Sequence, residues 1–288
     1  MRETLLFANQ AVQEGSFYCP TESEMHHIRR VLRLRPGNLV LLRDPEGVTW
    51  RSSLADPEAG EGLYVLESVE AETELGSGRP AAPVLHLWQA LPKAAKMDEI
   101  VRKATELSVS QIHPVVLKRC ISRPDSASAR KKTERWRGIA EAASRQAGRL
   151  HRPGVSDIRT WEETIRDLAE ALRVRDSASN APIGILPYEG ERGLSLRDFL
   201  FGSSVGLDGS GKAGDGVNFA FDGALRSGGA GLVVHVLIGA EGGIAPEEAA
   251  ALRELGLRSV HLGRDILRCE TAGPAVLAML KLALPGGM

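Results

Sequence analysis

The sequence predicts an α/β protein in which a small, mostly β domain precedes a parallel-sheet domain. Three observations carry this. Residues 232–238 (LVVHVLI) form a nearly unbroken apolar run, the pattern of a strand buried on both faces of a parallel sheet. A glycine-bearing loop (GAEGG, 239–243) and then Pro246-Glu247-Glu248 follow, which read as a strand, a turn and a helix start. Residues 1–75 instead lack long helical patterns and carry turn signals at Arg35-Pro36-Gly37 and Asp44-Pro45-Glu46-Gly47.

A length of 288 residues favours two domains. Hydrophobic content of 43% and charged content of 25% suit a soluble globular protein. No apolar run approaches the ~20 residues needed to span a bilayer, and the N-terminus lacks signal-peptide architecture. Cys19, Cys120 and Cys269 are odd in number and far apart, which argues against a disulfide framework or a zinc site and for a cytoplasmic protein. The histidines show no ligand spacing, so no metal is expected; His235 and His261 lie in apolar strands and read as core residues. The net charge of −1 leaves any affinity for nucleic acid to a local patch.

In chain order, residues 38–42 and 62–69 read as short strands. Between residues 26 and 35 the chain packs Arg29, Arg30, Arg33 and Arg35. A helical turn there would bury Ile28 and Leu32 and present Arg29, Arg30 and Arg33 outward, either as a solvated face or as a grip on RNA phosphates. Glu, Gly, Ser and Pro dominate residues 70–83, giving a boundary with domains at 1–75 and 84–288 and a linker at 76–83. Residues 84–91 read as a strand. Residues 94–107 read as a helix with Met97, Ile100, Val101, Ala104 and Leu107 on one stripe and a Glu99–Lys103 pair outside. Ser108 stands where a C-terminal glycine is usual, so a different helix end is expected. Residues 111–117 read as a strand, the stretch up to Lys132 as a loop, and 133–147 as a helix with Trp136 in the core. Whether Arg145, Arg149 and Arg152 line an RNA cleft stays open. Residues 161–172 read as an amphipathic helix and 183–187 as a strand. The ten glycines of residues 202–231 predict a flexible insertion. A second short strand at 259–262 runs into Gly263 and a final helix, with Gly273-Pro274 expected in its first turn.

Two strands thus each deliver a glycine-bearing loop at a carboxyl end, where open α/β sheets bind ligands. Neither a dinucleotide fingerprint nor a phosphate loop is present. The loops IGAEGG (238–243) and LGRDILRCETA (262–272) resemble the paired motifs Ile-Gly-Pro-Glu-Gly-Gly and Leu-Gly-x-x-Ile-Leu-Arg-x-Glu-Thr-Ala of the RsmE family of SPOUT methyltransferases, which methylates N3 of a uridine in 16S ribosomal RNA. The resemblance extends to His27, Val31, Leu32 and Arg33, to Lys93, Lys96 and Met97, to residues 103–107, and to Glu134-Arg135-Trp136 with Glu141, Ala142, Gln146 and Arg149. It covers nearly the whole chain apart from the insertion.

The resemblance implies a trefoil-knotted methyltransferase domain behind a PUA-like β-barrel. It also implies S-adenosylmethionine as cofactor, the small ribosomal subunit as substrate, and a homodimer. The cofactor would be held by Leu186, by Ile238, Gly239, Glu241, Gly242 and Gly243, and by Leu262, Gly263, Ile266 and Leu267. RNA contacts would come from Arg29, Arg30, Arg33, Lys93, Lys96, Arg145 and Arg149. Uracil N3 must lose its proton to become a nucleophile. Glu270 or Glu241 could take it if burial raised the carboxyl pKa, with Arg268 steadying the uracil oxygens. Alternatively, Glu241 braces its loop and Glu270 caps the last helix. Ala240 replaces the motif proline, and Ala245 lacks an N-cap side chain. Two other functions remain in view: ribose 2′-O-methylation, whose Asn-x-Gly-x-x-x-Arg motif is not matched at residues 91–96, and a catalytically silent RNA-binding factor, which would not need intact loops.

Overall fold

The computed structural model describes residues 4–69, 82–149, 151–173, 181–201 and 232–284. The glycine-rich insertion and all but the end of the expected linker lie outside these. Two compact units form: Met1–Ser77 with Arg145–His151, and Gly78–Ser144 with Arg152–Met288.

In the first unit, β1 (Leu5–Phe7), β2 (Phe17–Tyr18), β3 (Leu39–Arg43), β4 (Thr49–Leu54) and β5 (Leu63–Val69) form one sheet in the order β1-β3-β4-β5-β2. β1 runs parallel to β3, and the other pairings are antiparallel. Leu6, Tyr18, Val40, Leu42, Leu63 and Val65 fill its core. A short helix α1 (Glu22–His26) is opened by Thr21, whose N–H and hydroxyl both donate to Glu24. It runs into a π-type turn, His27–Val31, that buries Ile28 completely, as expected, while Leu32, expected to be buried with it, is only half-buried. The turn stops at Arg33, which has a φ of 54° and so leaves the helical register.

The second unit carries β6 (Val84–Ala90), α2 (Lys96–Glu106), β7 (Gln111–Val115), α3 (Ser126–Ala147), β8 (Gly154–Val155), α4 (Trp161–Arg173), β9 (Ile183–Pro187), α5 (Leu196–Phe201), β10 (Val233–Ile238), α6 (Pro246–Glu254), β11 (Arg258–Val260) and α7 (Cys269–Ala283). Its sheet, β11-β9-β10-β6-β7-β8, is parallel throughout. Val234, Val236 and Leu237 of β10 have no exposed surface, which is why that run is apolar without alternation. The amphipathic stripe of α2 lies where its period places it, and α2 packs on α7.

Several local expectations are corrected. The helix expected from Thr133 begins at Ser126, because Asp125 accepts the Ser128 N–H at 2.8 Å and caps it; the second half of the Lys/Arg-rich stretch is therefore helix. Ser108 does not end α2 differently. It adopts a φ of 66°, the left-handed conformation a glycine would take. Pro274 lies in the second turn of α7, where its missing N–H leaves the Glu270 carbonyl without its helical donor. The missing cap at Ala245 is offset by Glu248, a buried carboxylate that accepts the Ala245 N–H at 3.1 Å and the Lys118 N–H at 2.7 Å.

Candidate active site

Three neighbouring strands, β9, β10 and β11, end at the same edge of the sheet, and the loops that leave them enclose a cleft of about 690 Å³ counting its open mouth. Ile238, Gly239, Ala240 and Gly243 supply one wall, and Leu262, Gly263, Ile266 and Leu267 another.

The first loop turns tightly: Gly243 N–H donates to the Ala240 carbonyl at 2.9 Å, so the turn forms with alanine in the place of proline. Gly243 has a φ of 68°, and a Cβ there would stand 2.0 Å from Glu189 Oε1. A Cβ on Gly239 would meet Ile244 Cγ1 at 3.0 Å. Gly263 differs. Its φ is 136° with nothing within 4 Å of a built Cβ, so the bare backbone faces open space. Ile266 is 84% exposed, a large apolar side chain on the wall of a cleft.

The third wall was not foreseen beyond Leu186. That residue is fully buried, and Pro187, Tyr188, Glu189, Glu191 and Arg192 line the cleft instead. The signal was there: residues 183–187 form a strand ending at the same edge as the other two. Glu191 braces this wall by accepting the N–H groups of Gly193 (2.8 Å), Arg192 (3.0 Å) and Leu194 (3.4 Å). The Gly193 bond leads in holding its carboxyl below the usual range. His261 also lines the cleft and is only half-buried, so it is not the core residue expected. His235 is one, with Nδ1 accepting the Trp88 indole N–H at 3.1 Å.

Glu241 and Gly242 do not line the cleft. Gly242 packs on Arg119, whose Nη1 donates to its carbonyl at 3.1 Å. The Glu241 carboxylate accepts the Lys93 N–H at 3.2 Å and pairs with Lys96 Nζ at 2.9 Å. Lys96 Nζ also lies 3.2 Å from Glu270 Oε2. One cation thus links the two motif loops, and Lys96 is engaged within the protein where an RNA contact was expected.

Burial pushes the Glu241 carboxyl upward, but the Lys96 and Lys93 bonds outweigh it and leave the value lowered. For Glu270 its own N–H leads in lowering the value, with Cys269 and Lys96 adding to it. Neither meets the condition set for a general base of raised pKa. The N-cap residue Arg268 makes no side-chain cap bond, while the Glu270 carboxylate takes its own N–H in the first turn of α7. Cys269 donates to Glu270 Oε2 at 3.2 Å, and burial foremost pushes its thiol up to about 12, so it stays a thiol at neutral pH. The Arg268 side chain is 83% exposed, 4.0 Å from Glu270.

Of the other expected RNA contacts, Arg29 pairs with Glu61 at 2.5 Å, while Arg30, Arg33 and Lys93 are exposed. Arg145 and Arg149 group with the first unit. Arg149 is half-buried, and desolvation lowers its guanidinium to about 10.

A parallel sheet with three adjacent strands ending in loops around one cleft defines an α/β domain of the kind that binds its ligand at the carboxyl edge of the sheet. Residues 80–186 and 219–281 match the RNA methyltransferase domain, and residues 20–66 match the RNA methyltransferase PUA domain. The chain belongs to the RNA methyltransferase family. It is 27% identical to ribosomal RNA small subunit methyltransferase E of Mycobacterium bovis over 95% of this chain and 89% of that protein. To the Bacillus subtilis protein of the same name it is 25% identical, over 91% and 89%. The fold is shared with a crystal structure of ribosomal RNA small subunit methyltransferase E from Neisseria gonorrhoeae bound to S-adenosyl methionine: TM-score 0.72, 23% identity, 99% of each chain covered. Among the described residues, no helix is long and apolar enough to cross a membrane.

Proposed function

We propose that the protein uses S-adenosylmethionine to methylate N3 of one uridine in 16S ribosomal RNA of the small ribosomal subunit, in the cytoplasm. The observation that carries this reading is the cleft itself, walled by both loops that resemble the RsmE motifs. The curated relatives named above support the ribosomal substrate, and N3 is that family's position. On the same ground we propose a trefoil knot in residues 84–288, a homodimer, and an RNA-binding role for the domain at 1–75.

The cleft fits the cofactor. Main chain at Gly239 and Gly263 can approach a ligand closely, Ile266 offers apolar surface to a purine, and Glu189 and Glu191 bring carboxylates for hydroxyl or cationic groups. When bound, S-adenosylmethionine supplies a methyl group activated by a positive sulfonium. The protein's own part is to prepare the acceptor. Arg268, exposed beside Glu270, would stabilise negative charge on the uracil oxygens as the N3 proton passes to solvent water. Glu241 and Glu270, ionised and shared by Lys96, hold the two loops in register. Of the two roles left open for them, bracing suits their lowered pKa values better than proton removal.

The test is incubation with labelled S-adenosylmethionine and small subunits from a strain lacking the gene, followed by primer extension. A reverse-transcriptase stop opposite one uridine, with label incorporated, is the expected result, because N3 methylation destroys the Watson–Crick edge. Label without a stop would refute the acceptor atom, and no label would refute the activity.

A further inference from the structure

We propose that residues 117–132, the connection between β7 and α3 with the first turns of α3, form the surface that holds the acceptor RNA strand beside the cleft. The proposal rests on the RNA methyltransferase reading above. This stretch carries six Lys and Arg residues against a single acid, Asp125, in a chain whose net charge is −1. The acid is occupied in capping α3.

The stretch is fastened to the first motif loop. Arg119 donates to the Gly242 carbonyl at 3.1 Å, and a Cβ on Gly242 would stand 3.0 Å from both Arg119 Cβ and its carbonyl oxygen, so the two loops lie in direct contact. The Lys118 N–H is held by Glu248 at 2.7 Å, and its ammonium pairs with Glu247. Arg123 closes the loop on itself, donating to the carbonyls of Leu117 (3.1 Å) and Lys118 (3.0 Å). A loop braced in this way holds its shape, and at its tip it presents Ile121, 69% exposed. Farther along, Arg130 and Lys131 are exposed and have no ion-pair partner among the described residues.

Arg130 and Lys131, exposed and without ion-pair partners among the described residues, and an exposed apolar side chain on the same stretch match a single RNA strand. Phosphates meet the cations, and an unstacked base can lie against Ile121. The contact with the 238–243 loop brings that strand to the cleft, a coupling that a distant anchoring patch would lack.

The experiment compares wild type, the double variant Arg130→Glu/Lys131→Glu, and Ile121→Ser, with small ribosomal subunits and labelled S-adenosylmethionine as substrates. The double variant should raise KM for subunits at least tenfold and reduce the salt-dependence slope of binding by roughly 2, one for each lost phosphate contact. Ile121→Ser should raise KM several-fold with the slope unchanged. Cofactor affinity by calorimetry should stay within about twofold for both variants, which separates lost RNA contact from misfolding. Unchanged KM and slope with active wild type would overturn this surface alone. Wild type that transfers no label would overturn the reading beneath it. A photoreactive benzoylphenylalanine at position 121 should crosslink to ribosomal RNA; crosslinks to ribosomal protein alone would also overturn the proposal.

Discussion

Lys96 Nζ stands 2.9 Å from the carboxylate of Glu241 and also 3.2 Å from that of Glu270, so a single ammonium joins the loop after β10 to the start of α7. The hydrogen bond to Glu241 is the chief reason its pKa is raised. Lys96→Met would remove the ammonium that the two carboxylates share. Because the pair is partly exposed, the effect on overall stability should be small, but the loops line the cleft and should loosen. KM for S-adenosylmethionine should rise roughly three- to tenfold, and Lys96→Arg should recover part of it. Methylation kinetics decide the matter: a large fall in subunit affinity with the cofactor KM unchanged would instead make Lys96 an RNA contact.

Gly243→Ala tests the cleft from the other side. The new methyl group would require a positive φ and would lie 2.0 Å from Glu189 Oε1. Glu189 must swing away and the turn must distort. Cofactor affinity measured by calorimetry should fall at least tenfold, roughly the effect of 1.4 kcal/mol, while the circular dichroism spectrum is kept. Binding within twofold of wild type would show that this turn does not shape the site.

The parts of the fold legible in the sequence are those carried by a single strong local signal. The apolar run of β10 and the stripe of α2 left little choice of structure. Other elements are held by partners distant in sequence: β1 pairs with β3 across more than thirty residues, and the wall at residues 187–192 belongs to the site only because β9 lies between β10 and β11. The motif loops were legible as loops, but which side chains face the cleft was not. Glu241 turns away because Lys93 and Lys96 draw it there, and nothing in residues 238–243 reports on those lysines. The start of α3 has a simpler signal, the Asp125 cap, which the run of cations after it masks by resembling a solvated loop.

Ser108 carries a measurable strain. Its φ of 66° is one that side chains with a Cβ disfavour, and the α2 terminus it completes, with Ser108 N–H on Thr105 and Val109 N–H on Ala104, is one glycine forms readily. Against this, its hydroxyl accepts from Lys281 Nζ at 3.0 Å. Ser108→Gly should stabilise the protein by about 0.5–1 kcal/mol. A higher urea midpoint with unchanged slope is the expected outcome; a lower midpoint would show that the Lys281 bond outweighs the strain.

One face of the central sheet carries a histidine cluster that predicts how the fold fails in acid. His86 Nδ1 lies 3.1 Å from His113 Nε2, and the His113 ring stacks on Trp88 with centroids 4.0 Å apart. Burial, more than neighbouring charge, depresses His113 and His235 from 6.5 to about 3, and it lowers His86 as well. The folded state therefore refuses protons that the unfolded chain accepts. Stability from these groups is complete above pH 6.5 and is lost progressively as pH falls toward about 3. His113→Phe keeps a ring against Trp88 and removes one such group, so the slope of unfolding free energy against pH between roughly 6 and 4 should fall by about one proton. Urea denaturation at several pH values measures that slope. An unchanged slope would mean that His113 titrates normally in the folded protein and is less buried than its packing indicates.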